Sequence, residues 1–280
     1  LIFDLTVHTD SYLLSLMMKT SFIAAIVSTA LAIGTTGFMV ASGLSGLNTV
    51  LPLFVLLLVF WGLYRYPRRA VGFTFGKAKP YAIAVLYPVL IIGTLAGLAF
   101  ANGLVDISKT QWPEVLQELA VIAAFTFVIA IVTEEGFFRG WLWAALKDAG
   151  LSKTKIIIFT SIAFSLWHAP EVTISSEFAL PTAQIPVLLI NAVVIGAIWG
   201  ILRDLSGSVI VSSLSHGVWN AGAYVLFGDG LKAGALGIKN TSILSPEHGL
   251  LGLGLNLLVL ILLWQHWSAI EHKAKIMAYR

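Results

Sequence analysis

The sequence predicts an all-α polytopic membrane protein with about eight transmembrane helices that enclose an intramembrane polar cavity. Hydrophobic residues make up 58% of the 280 residues and charged residues only 11%, and the mean hydropathy is +0.90, far above that of soluble domains. A window of about 19 residues finds eight apolar stretches. A few ionisable side chains recur inside them, and such groups cost free energy unless they face a protein interior.

The eight predicted spans follow one another along one membrane domain, residues 1–280. Pro170 directly follows the fifth span and predicts its end, because proline cannot continue the helical hydrogen-bond ladder. The outer connection Gly228–Gly249 is rich in glycine and polar residues and predicts a mobile loop. The spans are Thr20–Ala41, Leu47–Tyr64, Tyr81–Ala101, Val115–Leu146, Ile156–Ala169, Ile185–Leu202, Ser208–Phe227 and Leu250–Trp267.

Basic residues predict the orientation of these spans. When both termini are placed in the cytoplasm, only Lys109, Lys232 and Lys239 among the basic residues of the connections fall outside, which satisfies the positive-inside rule. The net charge of +3 then reflects the membrane topology. The sequence has no basic face with interleaved aromatic residues, so it does not predict a nucleic-acid partner. The absence of cysteine excludes disulfides, thiolate metal ligands and a cysteine nucleophile.

The fourth span carries three ionisable residues, Glu134, Glu135 and Arg139. On a helix, Glu135 and Arg139 are four residues apart and share one face, so we expect them to form an ion pair. Glu134 points about 100° away from Glu135. The spacing therefore leaves Glu134 free to face a different part of the protein.

Three other polar residues lie on later spans. His168 lies near the end of the fifth span, and His216 and Asn220 are four residues apart on one face of the seventh. Counted from the nearest charged residue at the predicted cytoplasmic edge, Glu134, His168 and His216 each lie 12 or 13 positions deep. That is roughly 18 to 20 Å at the rise of an α-helix. We therefore expect one carboxylate and two imidazoles at the same depth.

These residue types suit hydrolysis by an activated water molecule. A desolvated carboxylate is a stronger base, and an imidazole beside it can orient the same water. A second imidazole and a carboxamide can donate hydrogen bonds to the oxyanion of a tetrahedral intermediate. Serine catalysis fits less well, because no serine here lies in a nucleophile-elbow sequence. A zinc site made by Glu134, His168 and His216 remains an alternative, although no HExxH pair is present.

Three ordered motifs carry a family resemblance. Glu134 to Arg139 match EExxxR, Phe164 to His168 match FxxxH, and His216 to Asn220 match HxxxN, all within the motif region 115–227. This pattern resembles the CAAX-protease and bacteriocin-processing family, also called the Abi family, which includes the type II CAAX prenyl endopeptidase. The motifs cover about a third of the chain, and their order on successive late spans makes the signal specific.

The resemblance implies an eight-helix intramembrane protease without a bound catalytic metal or other cofactor. It implies that Glu134 is the general base, that His168 positions the water, and that His216 and Asn220 form the oxyanion hole. Two supporting residues, Glu135 and Arg139, would act electrostatically. We also expect three aromatic residues beside the motifs to contact substrate: Phe164, Trp167 and Trp219.

The expected partners are the lipid bilayer and a peptide or lipidated protein, such as a prenylated CAAX-type substrate that loses its C-terminal tripeptide. The expected location is a prokaryotic plasma membrane. Two rival classes remain open. One is a non-catalytic membrane scaffold or bacteriocin-immunity protein that needs the Glu135–Arg139 pair only for folding. The other is a proton-coupled transporter that uses Glu134 and the histidines as a relay.

Overall fold

In the computed structural model, residues 2–175, 178, 180–229 and 232–278 are described, and they form an almost entirely helical protein. A two-residue antiparallel β-pair joins β1 (Gly228–Asp229) to β2 (Lys232–Ala233). The α-helices are α1 (Ile2–Ala41), α2 (Leu47–Tyr64), α3 (Arg68–Val71), α4 (Lys79–Ala101), α5 (Trp112–Val132), α6 (Trp143–Asp148), α7 (Lys153–Ile174), α8 (Ile185–Ser206), α9 (Val209–Asn220), α10 (Thr241–Leu244) and α11 (Leu250–Ala278). Two π-helices (Gly136–Leu142 and Ala221–Phe227) and one 3₁₀-helix (Thr182–Gln184) complete the described elements.

Within the described residues, seven helical segments are long and apolar enough to cross a membrane. The all-α, multi-pass membrane fold is therefore confirmed, but the number of such segments is one fewer than the eight predicted. The difference lies at Ser208–Phe227, which is not one long apolar helix. It consists of the 12-residue α9 followed by the π-helix Ala221–Phe227. Serines and His216 lower the hydropathy of α9, which packs against α4, α5 and α8 instead of standing alone in lipid.

Two further details differ from the predicted spans. Helix α7 continues through Pro170 to Ile174, so the proline does not end the helix. The fourth span is not a continuous α-helix. Helix α5 ends at Val132, and Thr133 has a non-helical backbone with φ −113° and ψ −100°. The chain then winds as the π-helix Gly136–Leu142 before it returns to α-helix in α6.

An ion-pair cluster holds three helix ends together on one side of the bundle. The Lys153 ammonium at the start of α7 lies 3.1 Å from Asp204 Oδ2 near the end of α8 and 2.7 Å from Glu271 Oε1 in the last part of α11. The indole of Trp267 also donates to Asp204 Oδ2, at 2.9 Å. These contacts fix the relative heights of α7, α8 and α11, and so the depths of the polar residues on α7 and α8.

The predicted mobile loop Gly228–Gly249 contains ordered structure, although residues 230–231 lie outside the described residues. It includes the β-pair and α10, and Leu236 and Ile238 are buried. The Asp106 amide donates to the Leu236 carbonyl at 2.9 Å, which ties the segment to the connection before α5. The segment thus packs against the end of the bundle instead of extending into solvent.

Candidate active site

The break between α5 and the π-helix sets the positions of Glu134 and Glu135. A β-carbon added at Gly136 would lie 2.9 Å from Leu57 Cδ2 on α2 and would also meet the carbonyl oxygen of Ile131. Only glycine therefore allows this close approach without a shift of its neighbours. Short π-helical turns are frequent at functional sites. Here the turn directly follows the two adjacent glutamates.

Glu135 and Arg139 form the ion pair expected from their spacing. Arg139 Nη1 lies 3.1 Å from Glu135 Oε1, and both side chains have no solvent-exposed surface. Arg139 Nη2 also donates to the Gly196 carbonyl of α8 at 3.0 Å. The guanidinium carbon lies 4.4 Å from the centre of the Phe164 ring, within the range of a cation–π contact. The pair thus joins the π-helix to α7 and α8.

Glu134 faces the two histidines. Its Oε2 atom lies 3.9 Å from Nε2 of His168 and 3.9 Å from Nε2 of His216. The exposed fractions of the three side chains are 13%, 27% and 4% respectively. Among the described residues, no group makes a direct hydrogen bond to Glu134 Oε2. The three side chains that the depth estimate placed at one level therefore meet in the structure.

A hydrogen bond to a backbone carbonyl fixes the tautomer of His168. The tautomer in turn determines which ring nitrogen presents a lone pair to Glu134. His168 Nδ1 lies 2.9 Å from the carbonyl oxygen of Phe164, one turn earlier on α7. A carbonyl only accepts, so Nδ1 carries the hydrogen. In the neutral ring, Nε2 is then an acceptor that points toward Glu134. The ring packs edge-on against Phe164 and Trp167, with centroid separations of 4.5 and 4.7 Å.

His216 lies between the two glutamates. Its Nδ1 atom is 3.3 Å from Glu135 Oε1, and its Nε2 atom faces Glu134. The ring stacks on Trp199 of α8 with a centroid separation of 4.2 Å and an interplanar angle of 21°. Trp199 is held in turn by a 3.2 Å hydrogen bond to Ser215 Oγ. Trp199 was predicted only to pack or to lie at the membrane interface, because one sequence carries no signal of ring stacking between two helices.

These side chains line a cavity of about 450 Å³. Asn220, of which 9% is exposed, also lines it, and within the described part of the chain no hydrogen-bond partner holds its side chain. The structure therefore brings the four predicted catalytic residues to one cavity, while Glu135 and Arg139 lie buried behind its wall. The three aromatic residues predicted to contact substrate also line it: Phe164, Trp167 and Trp219.

Sequence reasoning missed two further carboxylates in the wall of this cavity, Glu171 and Glu247. Glu171 follows His168 by three positions on α7, so the helical spacing was a usable signal. Glu247 offered no such signal, because it lies in the segment predicted to be a mobile loop. Its Oε1 atom accepts a 3.0 Å hydrogen bond from the indole of Trp219.

The family comparison agrees with the motifs that surround this cavity. Residues 116–222 match the model of the family described as Type II CAAX prenyl endopeptidase Rce1-like. In this region the chain is similar to the Rce1-like family. The matched region extends from α5 into the second π-helix, so it includes all four predicted catalytic residues. No curated protein and no solved structure matches the chain.

The Rce1-like family consists generally of membrane proteases, so its members act on peptides, and the seven candidate spans place this chain in a bilayer. The buried Glu, His and Arg cluster is consistent with an active site. Throughout the described ranges, no group of three or more His, Asp or Glu side chains has the arrangement needed to hold a metal ion. The alternative of a zinc site made by Glu134, His168 and His216 is tested by chelation.

Proposed function

We propose that this protein is an intramembrane endopeptidase that hydrolyses a peptide bond with a water molecule activated by Glu134 and His168. The observation that carries the proposal is the geometry around Glu134 Oε2, which lies 3.9 Å from Nε2 of both His168 and His216. These distances are too long for direct hydrogen bonds and short enough for one water to contact more than one of the groups.

In this mechanism Glu134 takes a proton from the water as its oxygen attacks the carbonyl carbon of the peptide. His168 Nε2 accepts a hydrogen bond from the second hydrogen of the water, which stays bonded to the attacking oxygen, and so fixes the direction of attack; its Nδ1 hydrogen is engaged by the Phe164 carbonyl. The C–N bond of the tetrahedral intermediate then breaks. The proton held by Glu134 passes to the leaving amine, which returns the carboxylate to its starting state.

The oxyanion of the intermediate would be stabilised by His216 and Asn220. The Asn220 amide is buried on the cavity wall and can donate to a new oxygen. Because Nδ1 of His216 faces the carboxylate of Glu135, Nε2 donates only when the ring carries both hydrogens. Glu135 thereby supports the charged form of His216, and Arg139 prevents Glu135 from being left as an unpaired buried charge.

The cavity wall supports a substrate that approaches from the bilayer. Leu47 on α2 and Phe125 on α5 line the cavity, and each is about half exposed on the outer surface of the bundle. In a membrane, that surface faces acyl chains. A transmembrane peptide or a lipidated C-terminal peptide could approach along it, and removal of the C-terminal tripeptide of a prenylated CAAX-type protein is the first activity to test. We further propose that both termini are cytoplasmic and that the host membrane is a prokaryotic plasma membrane.

The test is a cleavage assay with the purified protein in proteoliposomes. A panel of fluorescence-quenched peptides would include a farnesylated CAAX-type peptide, its unprenylated form and transmembrane peptides. We expect at least one to be cleaved by the wild type and none by the double variant His168→Ala, Asn220→Ala. Proton flux that persists without peptide cleavage would support the transporter instead. Retained cellular function in the double variant would support the scaffold.

A further inference from the structure

The connection between α2 and α4, residues 65–79, carries five basic residues and is called here the basic connection. All five side chains are exposed, and within the described part of the chain none of them forms an ion pair. Arg65 directly follows the last residue of α2, and Lys79 is the first residue of α4, so both lie at the ends of candidate membrane spans. Unpaired positive charge is therefore presented at the boundary of the bilayer. The five residues are Arg65, Arg68, Arg69, Lys77 and Lys79.

The carboxylates at the same end of the bundle, where α6 ends and α7 begins, are engaged by other groups. Asp148 accepts a hydrogen bond from the Tyr66 hydroxyl at 3.2 Å. Asp204 and Glu271 both pair with Lys153. Among the side chains that the structure describes, no acidic group at this end lies within ion-pair distance of the basic connection. Its charge is thus available to an anionic partner.

Hydrogen bonds hold the basic connection against the turn between α8 and α9. The Lys77 amide donates to the Ser206 carbonyl, and the Val209 amide donates to the Gly72 carbonyl, each at 2.9 Å. The exposed cations therefore stand on a fixed backbone and not on a loose loop. A surface that is ordered before its ligand arrives avoids part of the entropy cost of binding.

Arg203 links the basic connection to the π-helix behind the active site. Its Nη2 atom donates to the Ala70 carbonyl and its Nε atom donates to the Arg139 carbonyl, each at 2.9 Å. A β-carbon at Gly72 would lie 2.5 Å from the guanidinium carbon, so the connection packs directly on this side chain. A ligand that stabilises the basic connection therefore also stabilises the support of the π-helix Gly136–Leu142.

Exposed apolar side chains accompany the cations. Phe75 is 80% exposed, and Leu63 in the last turn of α2 is 70% exposed. Two residues before each of them, Trp61 and Phe73 stack with a centroid separation of 5.1 Å. Aromatic residues next to basic ones are typical of the membrane–water interface. A free phosphate would satisfy only the cations, whereas a phospholipid offers both a phosphate and acyl chains.

We propose that the basic connection is a binding surface for the headgroups of anionic phospholipids in the membrane that contains this protein. The cationic side chains bind the lipid phosphates, while Phe75 and Leu63 contact the adjoining acyl chains. Clusters of four to eight basic residues beside a membrane span attract anionic lipids in this way. The inference goes beyond the proposed peptidase function and does not depend on it.

The test measures thermal unfolding of the full-length protein in neutral detergent micelles that contain phosphatidylglycerol or phosphatidylcholine. The two lipids carry the same acyl chains, so a difference between them reports the headgroup. We expect phosphatidylglycerol to raise the unfolding midpoint by about 3 °C or more above that in phosphatidylcholine, because a ligand that binds the folded protein stabilises it. The difference should shrink in about 0.5 M salt, which screens exposed charges. Equal midpoints in the two lipids would overturn the inference.

Two triple variants separate this surface from a general effect of positive charge. The first removes three cations of the basic connection and should lose most of the difference between the lipids. The matched control removes three exposed lysines from the predicted outer connections and should keep it. A full difference in the first variant would overturn the inference. The variants are Arg68→Gln, Arg69→Gln, Lys77→Gln and, as the control, Lys109→Gln, Lys232→Gln, Lys239→Gln.

Two measurements on the wild type remain decisive if the first variant fails to fold. Phosphatidylglycerol with a photoreactive headgroup, mapped by mass spectrometry, should label residues 65–79 more than residues 102–111, the connection before α5. Equal labelling of the two connections would overturn the inference. Inorganic phosphate at the same concentration should not raise the midpoint, because it has no acyl chain to contact Phe75 and Leu63. An equal rise with phosphate would assign the surface to a free anion and overturn the lipid inference.

Discussion

The Nε2 atom of His168 lies 3.9 Å from Oε2 of Glu134, while its Nδ1 atom is engaged by the Phe164 carbonyl. The carboxylate on the segment after α5 and the imidazole on α7 thus converge on one point of the cavity. This arrangement holds the lone pair of His168 toward the base. The geometry gives each residue a separate task, proton removal for Glu134 and water orientation for His168.

Replacement of His168 by glutamine should lower kcat about 10²-fold, because the attacking water is no longer held in the productive orientation. The variant keeps a polar side chain but loses the imidazole lone pair fixed by the Phe164 carbonyl. Single-turnover cleavage in proteoliposomes measures the effect. His266→Gln is the control, because His266 is exposed on α11, and it should retain wild-type turnover. Equal turnover in the two variants would contradict the assigned role.

The Glu135–Arg139 pair should be needed for folding as well as activity. Replacing Arg139 by glutamine leaves Glu135 buried without its cationic partner, which we expect to lower the free energy of unfolding by about 3–5 kcal/mol. The double variant Glu135→Gln, Arg139→Gln should recover part of that loss because no unpaired charge remains. Both should be inactive. In the double variant residue 135 has no carboxylate to support His216, and in the single variant the buried Glu135 has no cationic partner to keep it charged. Denaturant titration in detergent micelles measures the stability, and equal losses in the single and double variants would count against the ion-pair explanation.

Gly217, directly after His216, lets α9 approach α5 closely. A β-carbon there would lie 2.6 Å from the Ala123 carbonyl oxygen and 2.9 Å from the Phe127 amide nitrogen. Gly217→Ala should therefore push α9 away, destabilise the protein by about 1–3 kcal/mol and reduce kcat. Gly97→Ala on α4 is the control, because a β-carbon there meets nothing within 4 Å. Thermal unfolding and turnover of both variants test this, and a neutral Gly217→Ala would refute the tight contact.

The proposed chemistry needs no metal ion, so dialysis against a strong chelator should leave turnover unchanged. The measurement compares kcat before and after exhaustive chelation, with bound zinc determined by elemental analysis. Loss of activity that stoichiometric zinc restores would instead favour a site made by Glu134, His168 and His216.

Local geometry explains which parts of the site could be predicted from the sequence. The Glu135–Arg139 pair follows from a four-residue spacing, and it persists even though the chain there is a π-helix. Glu134 and His168 could be predicted to meet because they lie at similar depths below the cytoplasmic edge. Depth can be counted from the sequence, since the rise per residue of a helix is nearly constant. The Rce1-like motifs also reflect short spacings. Each of these signals lies within one or two turns of a single segment.

Contacts between distant segments were not predictable in the same way. The break at Thr133 contains no proline, and Gly136, three residues later, shows its role only through its close packing against α2. Glu247 lies in a glycine-rich connection whose order depends on Asn191 and other residues of the bundle. For the same reason α9 was predicted as part of a membrane span, since its enclosure by α4, α5 and α8 is a tertiary property.

The proposed hydrolysis depends on the carboxylate of Glu134 as the base that activates water. Its most direct test is the turnover of Glu134→Gln, which preserves side-chain shape and removes the negative charge, beside the exposed control Glu118→Gln. We expect kcat of the folded Glu134→Gln protein to fall at least about 10²-fold, while the control cleaves at the wild-type rate. Turnover at the wild-type rate by a correctly folded Glu134→Gln protein would contradict it.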